Sequence, residues 1–220
     1  MKNDSQLSIK ISLGILLLVH LSGLIGILSP YSDWFLSYTP LNLLITAAIL
    51  IYDFGKPTKK FIAFLLVSYA VGFLAEYLGV NFGILFGDYA YGQTLGPKIL
   101  GVPLVIGANW FVVMFAAASI ANLTRLNVVF KIALGAALAT FLDFFIEPVA
   151  MRYDFWDWQN SIVPMSNYVG WFFISALLIA LFYALKLEAK SKLPIYIYII
   201  QLGFFCLLYT SDAADDLLCV

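Results

Sequence analysis

The 220-residue chain is dominated by apolar side chains, since 63% of its residues are hydrophobic and only 11% are charged. Soluble domains carry roughly 25% charged residues, so this composition excludes a soluble globular protein and predicts an integral membrane protein. The formal net charge of −1, without any basic stripe, argues against a nucleic-acid-binding protein.

Six apolar segments approach or exceed the length of about 18 residues that a helix needs to cross a bilayer, and a seventh, at residues 40–52, is shorter. They predict spans at residues 11–28, 40–52, 61–80, 100–123, 128–146, 168–185 and 193–209. Gly, Ser and Pro turns separate the segments. The predicted fold class is therefore all-α: a polytopic membrane bundle of about seven transmembrane helices, forming a single domain over residues 1–205.

The basic residues predict the orientation of this bundle. With a cytoplasmic N-terminus, ten of the twelve Lys and Arg residues fall on the cytoplasmic side, and only Lys98 and Arg152 fall on the other. Loops on the cytoplasmic side of membrane proteins carry such an excess of basic residues. We therefore expect the N-terminus to be cytoplasmic.

Glu76, near the end of the third predicted span, is the first acidic residue of interest. It falls on the predicted non-cytoplasmic side of the bundle, toward which the acidic end of the fifth span also projects. One interpretation is that Glu76 shares a cavity with the two carboxyl groups of that span, Asp143 and Glu147. A glutamate that snorkels to the membrane interface is the other.

The segment after the third span, residues 81–104, combines five glycines and two prolines with Tyr89 and Tyr91. It is a poor helix but too apolar for a solvated linker, so we expect a re-entrant loop or a lid over a cavity. The loop after the fifth span repeats the mixture of acids and aromatic rings with Tyr153, Trp156 and Trp158. These five rings are candidates for lining a site, and an aromatic belt at the interface is the alternative.

The fourth predicted span contains Asn109 and Trp110, which predict either a polar contact in the site or an interhelical hydrogen bond. No HExxH, P-loop, GxGxxG or cysteine cluster occurs in the chain. Metal, nucleotide and nicotinamide chemistry therefore lack support from sequence motifs, and no metal site or cofactor is predicted.

The fifth predicted span ends in FLDFFIEP, where Asp143 and Glu147 lie four residues apart. Residues at this spacing share one face of a helix, and Pro148 is expected to end or kink the helix directly after them. Charged groups at membrane depth usually face a bundle interior and serve a function. Repulsion between the two favours one protonated acid beside one base, which predicts a proton donor. A pair that only anchors the helix end at the interface is the alternative.

The last stretch, CLLYTSDAADDLLCV from Cys206, resembles a translated sequencing adapter. We expect residues 206–220 to replace the natural C-terminus, with a genuine polar tail as the alternative. Neither Cys206 nor Cys219 is then informative about redox chemistry or metal binding.

Three blocks of the sequence are similar to the integral-membrane carotenoid-biosynthesis family that contains the carotenoid 1',2'-hydratases. The first runs EYLGVNFGILFGDYAYGQTLGPKILGVPLVIGANW, the second LDFFIEPVAMRYDFWDW and the third NYVGWF. Together they extend the resemblance from about residue 61 to residue 172. The third block adds Asn167 and Trp171 to the candidate site residues.

The resemblance implies the addition of water to the terminal double bond of a linear carotenoid end group. Asp143 or Glu147 would donate the proton, with Glu76 as the next candidate, and aromatic faces would stabilise the tertiary cation. The reaction needs no metal or redox cofactor. The implied substrate is lycopene, gamma-carotene or a C50 precursor, which would enter laterally from the lipid bilayer along an apolar cleft. The implied location is the cytoplasmic membrane, with other enzymes of the same pathway as further candidate partners.

Other functions remain open at this point. Cyclisation of the same end group would proceed through the same cation. A proton-coupled transporter would also use carboxylates and broken helices within the membrane, although such transporters usually show repeated halves. A retinal protein is disfavoured because the seventh predicted span contains no lysine for a Schiff base.

Overall fold

The computed structural model describes residues 2–218, with side-chain environments for residue 7 and for residues 9–211. Helices dominate it. They are α1 (Lys2–Ile27), α2 (Ser32–Leu36), α3 (Thr39–Phe54), α4 (Lys59–Phe82), α5 (Leu104–Asn122), α6 (Val128–Arg152), α7 (Met165–Ala184) and α8 (Leu193–Leu218). Within the described residues, seven helical segments are long and apolar enough to cross a membrane, and α2 and α3 together make the second of them. The predicted all-α polytopic bundle is confirmed.

Helix α5 forms the centre of the bundle. Of its apolar window, 78% is buried inside the protein, against 22–39% for the other six spans, and it packs against α3, α4, α6, α7 and α8. Its alanines let neighbouring helices approach closely. Gly72 on α4 does the same for Trp110, because a Cβ at that position would collide with the indole. The core therefore holds the Trp110 ring in one place.

Two predicted span starts differ from the structure by four residues or more. The second span is longer than predicted, because α2 extends it to residues Ser32–Phe54. Helix α5 begins at Leu104 instead of residue 100, because the strands β2 (Lys98–Ile99) and β3 (Val102–Pro103) pair as a hairpin directly before it. The turn of this hairpin places two successive residues at positive φ, which suits a tight two-residue connection.

Of the two alternatives predicted for Pro148, an end or a kink of the helix, the end is wrong. Helix α6 continues through Pro148 to Arg152. Proline removes one backbone donor, but the following turn is stabilised from the loop side: the amides of Tyr153 and Phe155 donate to the carbonyls of Val149 and Ala150 at 3.1 and 2.9 Å. Those bonds satisfy helix-end acceptors that would otherwise lack partners.

The two aromatic loops form one structure, here called the loop cover, at the end of the bundle where α4 and α6 finish and α5 and α7 begin. It consists of residues 83–103 and 153–164. Strand β1 (Tyr89–Tyr91) from the first loop pairs antiparallel with β4 (Trp156–Trp158) from the second. Side-chain alternation along a strand turns Tyr89, Tyr91 and Trp158 inward and leaves Ala90 and Asp157 exposed. The loop cover therefore presents an aromatic face to the helices.

The start of the loop cover depends on Gly83, which ends α4 in the left-handed conformation at φ 63°. A Cβ at this position would also collide with the Asp88 carboxylate, so glycine is required on both counts. Further hydrogen bonds join the two loops. The backbone N–H of Gln93 donates to Asp154 Oδ2 at 2.8 Å, and the Thr94 hydroxyl donates to the backbone carbonyl of Tyr153 at 2.9 Å.

The predicted adapter segment, residues 206–220, is continuous with α8 as far as Leu218. Residues 219 and 220, and the side chains of residues 212–218, lie outside the described part of the chain. The origin of this segment therefore stays a prediction.

Candidate active site

Three carboxyl groups lie together inside the bundle, beneath the loop cover. Glu76 comes from α4, while Asp143 and Glu147 come from successive turns of α6, and their side chains are 5%, 1% and 1% exposed. All three line a cavity of about 30 Å³, here called the chamber, which has room for one or two water molecules. The other residues of the chamber wall are Phe86, Tyr89, Tyr91, Ile106, Asn109, Trp110, Ile146, Trp156, Trp158, Asn167 and Trp171. Carboxylates that only anchor a helix end at the membrane interface would be more exposed than these three.

Glu76 accepts hydrogen bonds from three side chains. The hydroxyls of Tyr89 and Tyr91 donate to Oε2, the latter at 2.7 Å, and the Trp110 indole donates to Oε1 at 2.9 Å. Three donors around one carboxyl group stabilise its ionised form. Two of these donors come from the loop cover and one from the central helix α5. Glu76 therefore links α4 to the loop cover and to α5.

Glu147 is held in a similar way by a different set of donors. The indoles of Trp156 and Trp158 donate to Oε2 at 3.0 and 2.6 Å. The Asn167 amide, from the first turn of α7, donates to Oε1 at 2.8 Å. Glu147 therefore also sits among three donors, two of which belong to the loop cover.

Asp143 differs from both glutamates. Its Oδ2 accepts one hydrogen bond, from the same Asn167 amide at 2.9 Å. Its Oδ1 is buried and has no hydrogen-bond partner among the described residues. Asn167 thus bridges Asp143 and Glu147, while one oxygen of Asp143 stays uncommitted.

Aromatic rings surround the three carboxyl groups. Trp110 and Trp171 stack with their centroids 4.1 Å apart, Tyr89 lies 4.8 Å from Trp158, and Tyr91 lies 5.8 Å from Trp156. The faces of such rings carry partial negative charge and attract cations. A chamber with this wall can stabilise a carbocation through ring faces, which are not nucleophilic side chains.

Burial raises the pKa of Tyr89 and of Tyr91 well above the usual value of tyrosine, and the nearby Glu76 carboxylate raises both further. Both hydroxyls are therefore protonated at any physiological pH. They remain hydrogen-bond donors to Glu76 and do not act as bases.

The structure brings together every predicted site residue except Tyr153. That side chain lies beside the Arg152 guanidinium, 5.3 Å from its ring centre, and does not line the chamber. Three wall residues were not predicted: Phe86, Ile106 and Ile146. Apolar residues of a membrane sequence resemble one another, although Ile146 does follow Asp143 at helical spacing.

Replacing Glu76 with glutamine is expected to destabilise the protein. A carboxamide accepts through one oxygen, so its NH₂ group would face at least one of the donors that Glu76 now satisfies. A buried donor without a partner costs about 1–3 kcal/mol of unfolding free energy. Thermal unfolding in detergent measures this loss. Glu188→Gln, at an exposed residue, is the matched control, and equal stability of the two variants would contradict the expected role of Glu76.

The fold and the chamber define a class of protein: a polytopic membrane protein with three buried carboxyl groups enclosed by aromatic rings. The model of the carotenoid biosynthesis protein family matches residues 38–214, so the chain belongs to this family. No metal-binding group of three or more His, Cys, Asp or Glu side chains is found within the described residues.

One similar protein is the bisanhydrobacterioruberin hydratase of Haloarcula japonica, which is 29% identical over 136 residues. The alignment covers 55% of this chain and 43% of the relative, so the chain spans less than half of the relative's length. No solved structure matches the chain.

Proposed function

We propose that this protein is a carotenoid hydratase, which adds water to the terminal double bond of a linear carotenoid end group and produces a tertiary alcohol. The observation that carries the proposal is the unpartnered Oδ1 of Asp143, buried in a chamber walled by aromatic rings. A proton on this oxygen has no acceptor among the described residues. The proton is therefore available to a substrate.

Protonation is the first step of the proposed reaction. Asp143 Oδ1–H transfers its proton to the less substituted alkene carbon, forming a C–H bond and leaving a tertiary cation at the other carbon. Asp143 becomes a carboxylate, which its bond from Asn167 stabilises. The two glutamates suit this step less well, because three hydrogen-bond donors favour the ionised form of each, whereas Asp143 accepts from one donor.

The aromatic wall supports the second step. Rings from the loop cover and from α5 and α7 line the chamber in which the cation would form. Each ring face can contribute about 2 kcal/mol or more of stabilisation in a site without bulk water. The negative charges of Glu76 and Glu147 add to this attraction. The lifetime of the cation is thereby extended until water adds.

Water completes the reaction. A water oxygen bonds to the cation and gives one proton to the Glu147 carboxylate, so that alkene and water become the alcohol. The Asn167 amide holds Glu147 and Asp143 together, at 2.8 and 2.9 Å. The proton can therefore return to Asp143 over a short path. No electron is gained or lost, so the step needs neither oxidant nor reductant.

The proposed setting is the cytoplasmic membrane with the N-terminus on the cytoplasmic side, so that the loop cover faces outward. An open-chain C40 or C50 carotenoid dissolves only in the bilayer, which matches a multi-pass protein whose site lies at a helix end. The family and the name of the Haloarcula japonica relative, a bisanhydrobacterioruberin hydratase, support this substrate class.

Pigment analysis tests the proposal. The gene would be expressed in cells that accumulate lycopene or gamma-carotene, in medium enriched with oxygen-18 water, and the pigments separated by liquid chromatography with mass detection. We expect a more polar pigment that is heavier by one molecule of labelled water. An isomer of unchanged mass would assign cyclisation to the same site, and unchanged pigment in cells containing the folded protein would refute carotenoid modification.

A further inference from the structure

A larger cavity, of about 210 Å³, lies between α1, α2, α3 and α8. Trp34, Tyr38 and Leu41 line it and are themselves exposed on the outside of the bundle. Helix α2 joins α1 to α3 at the same end of the bundle as the loop cover, because each span reverses direction. This outer cavity therefore opens toward lipid in the half of the membrane that also contains the chamber.

A third cavity, of about 40 Å³ and here called the connecting cavity, lies between the outer cavity and the chamber. It shares five wall residues with the outer cavity: Thr39, Leu43, Phe155, Gln201 and Phe205. It shares four others with the chamber: Ile106, Asn109, Ile146 and Trp156. The three cavities are therefore consecutive, and each neighbouring pair shares wall residues.

We propose that the outer and connecting cavities bind the hydrocarbon chain of an open-chain polyene whose tip reaches Asp143. This inference rests on the proposed function, since the terminal alkene is what the chamber would receive. The chamber alone is too small for an end group, so the tip must displace part of the wall it shares with the connecting cavity. The rest of the chain then lies between α1, α3 and α8, among mainly apolar side chains.

Gln201 adds a second observation in the same place. It lies in the wall between the outer and connecting cavities, its side chain is 4% exposed, and its Oε1 has no hydrogen-bond partner among the described residues. Buried polar atoms rarely lack partners, so such an atom requires an explanation. A hydrocarbon has no donor for it, but water does. We infer that water consumed by the reaction follows the same route and is held at Gln201.

Cavity-filling substitutions test the binding site. Gly23 lines the outer cavity, and a Cβ there would meet only the Phe204 ring, at an ordinary 3.6 Å. Gly23→Leu therefore fills the cavity without a backbone clash. Gly14→Leu is its control, because Gly14 lies on the same helix with nothing within 4 Å. Leu43→Trp is a second filling variant, paired with Leu44→Trp at the adjacent exposed residue.

Binding would be measured without turnover, from the shift and induced circular dichroism of lycopene absorption on titration into purified protein in detergent. We expect the two filling variants to weaken binding at least tenfold and the two controls to bind like the unaltered protein. Equal binding by all five proteins, or no binding by the unaltered protein, would overturn the inference. If binding follows this pattern but no hydrated product forms, the binding site stands and the proposed function fails.

The role of Gln201 has its own test. Gln201→Leu is expected to leave the absorption shift of bound lycopene unchanged but to lower the rate of hydration at least tenfold. Gln201→Asn, which keeps the carboxamide, is expected to recover part of that rate. Hydration by Gln201→Leu at the unaltered rate would overturn the role in holding water.

Discussion

Replacing Asp143 with asparagine is expected to lower the rate of hydration roughly 100- to 10,000-fold, the range typical for the loss of a general acid. The substitution keeps the size and planar shape of the side chain, and its amide oxygen can still accept from Asn167. The substitution removes the acidic proton at Oδ1. Among the carboxyl oxygens of Glu76, Asp143 and Glu147, Oδ1 of Asp143 is the one that is buried without a hydrogen-bond partner within the described residues. The rate would be measured as labelled alcohol formed from lycopene per amount of folded protein.

Asp157→Asn is the matched control for this experiment. Asp157 lies in β4 of the loop cover, yet its side chain is exposed and does not line the chamber. The control should hydrate lycopene at the unaltered rate. If Asp143→Asn retains more than about a tenth of the activity while binding lycopene normally, Asp143 is not the proton donor.

Replacing Glu147 with glutamine is expected to stop the reaction at a later step. Asp143 can still protonate the alkene, but the carboxylate that is proposed to accept a proton from the attacking water is gone. We expect the yield of alcohol to fall roughly 100-fold or more, while the cation returns to alkene by losing a proton. In deuterated water, the recovered carotenoid should therefore contain deuterium at its end group.

This deuterium readout separates the roles of the two residues. Asp143→Asn should give neither alcohol nor deuterated alkene, because no cation forms. Glu147→Gln should give deuterated alkene with little alcohol. If the recovered alkene from Glu147→Gln contains no deuterium, Glu147 acts before or during proton donation, and the assigned order of steps is wrong.

Much of the architecture could be predicted from the sequence, because a membrane span is a local property. Each span needs only an uninterrupted apolar segment, and all seven were found with errors confined to their ends. The error at Pro148 has a clear cause: the bonds that continue α6 come from the amides of Tyr153 and Phe155, and their geometry depends on how the loop folds. A helix rule applied to proline alone does not include them.

The candidate site was predictable only for residues whose burial in a membrane has a high free-energy cost. Buried carboxylates in a membrane need partners, so Glu76, Asp143 and Glu147 stood out by type alone. The connection between them did not, because β1 and β4 pair across more than sixty residues. Gln201 carried a signal that was available, as a polar residue inside an apolar span, but only the neighbouring cavities give it a role.

The pairing of β1 with β4 links the hydrogen bonds of Glu76 to those of Glu147. One strand supplies the two phenol donors of Glu76, and the other supplies the two indole donors of Glu147. Any movement that lifts this ribbon withdraws all four donors at once and admits bulk solvent in the same motion. In the proposed mechanism, enclosure of the chamber and the hydrogen bonds to both glutamates would therefore be lost together, so a carbocation would form only while the ribbon covers the chamber.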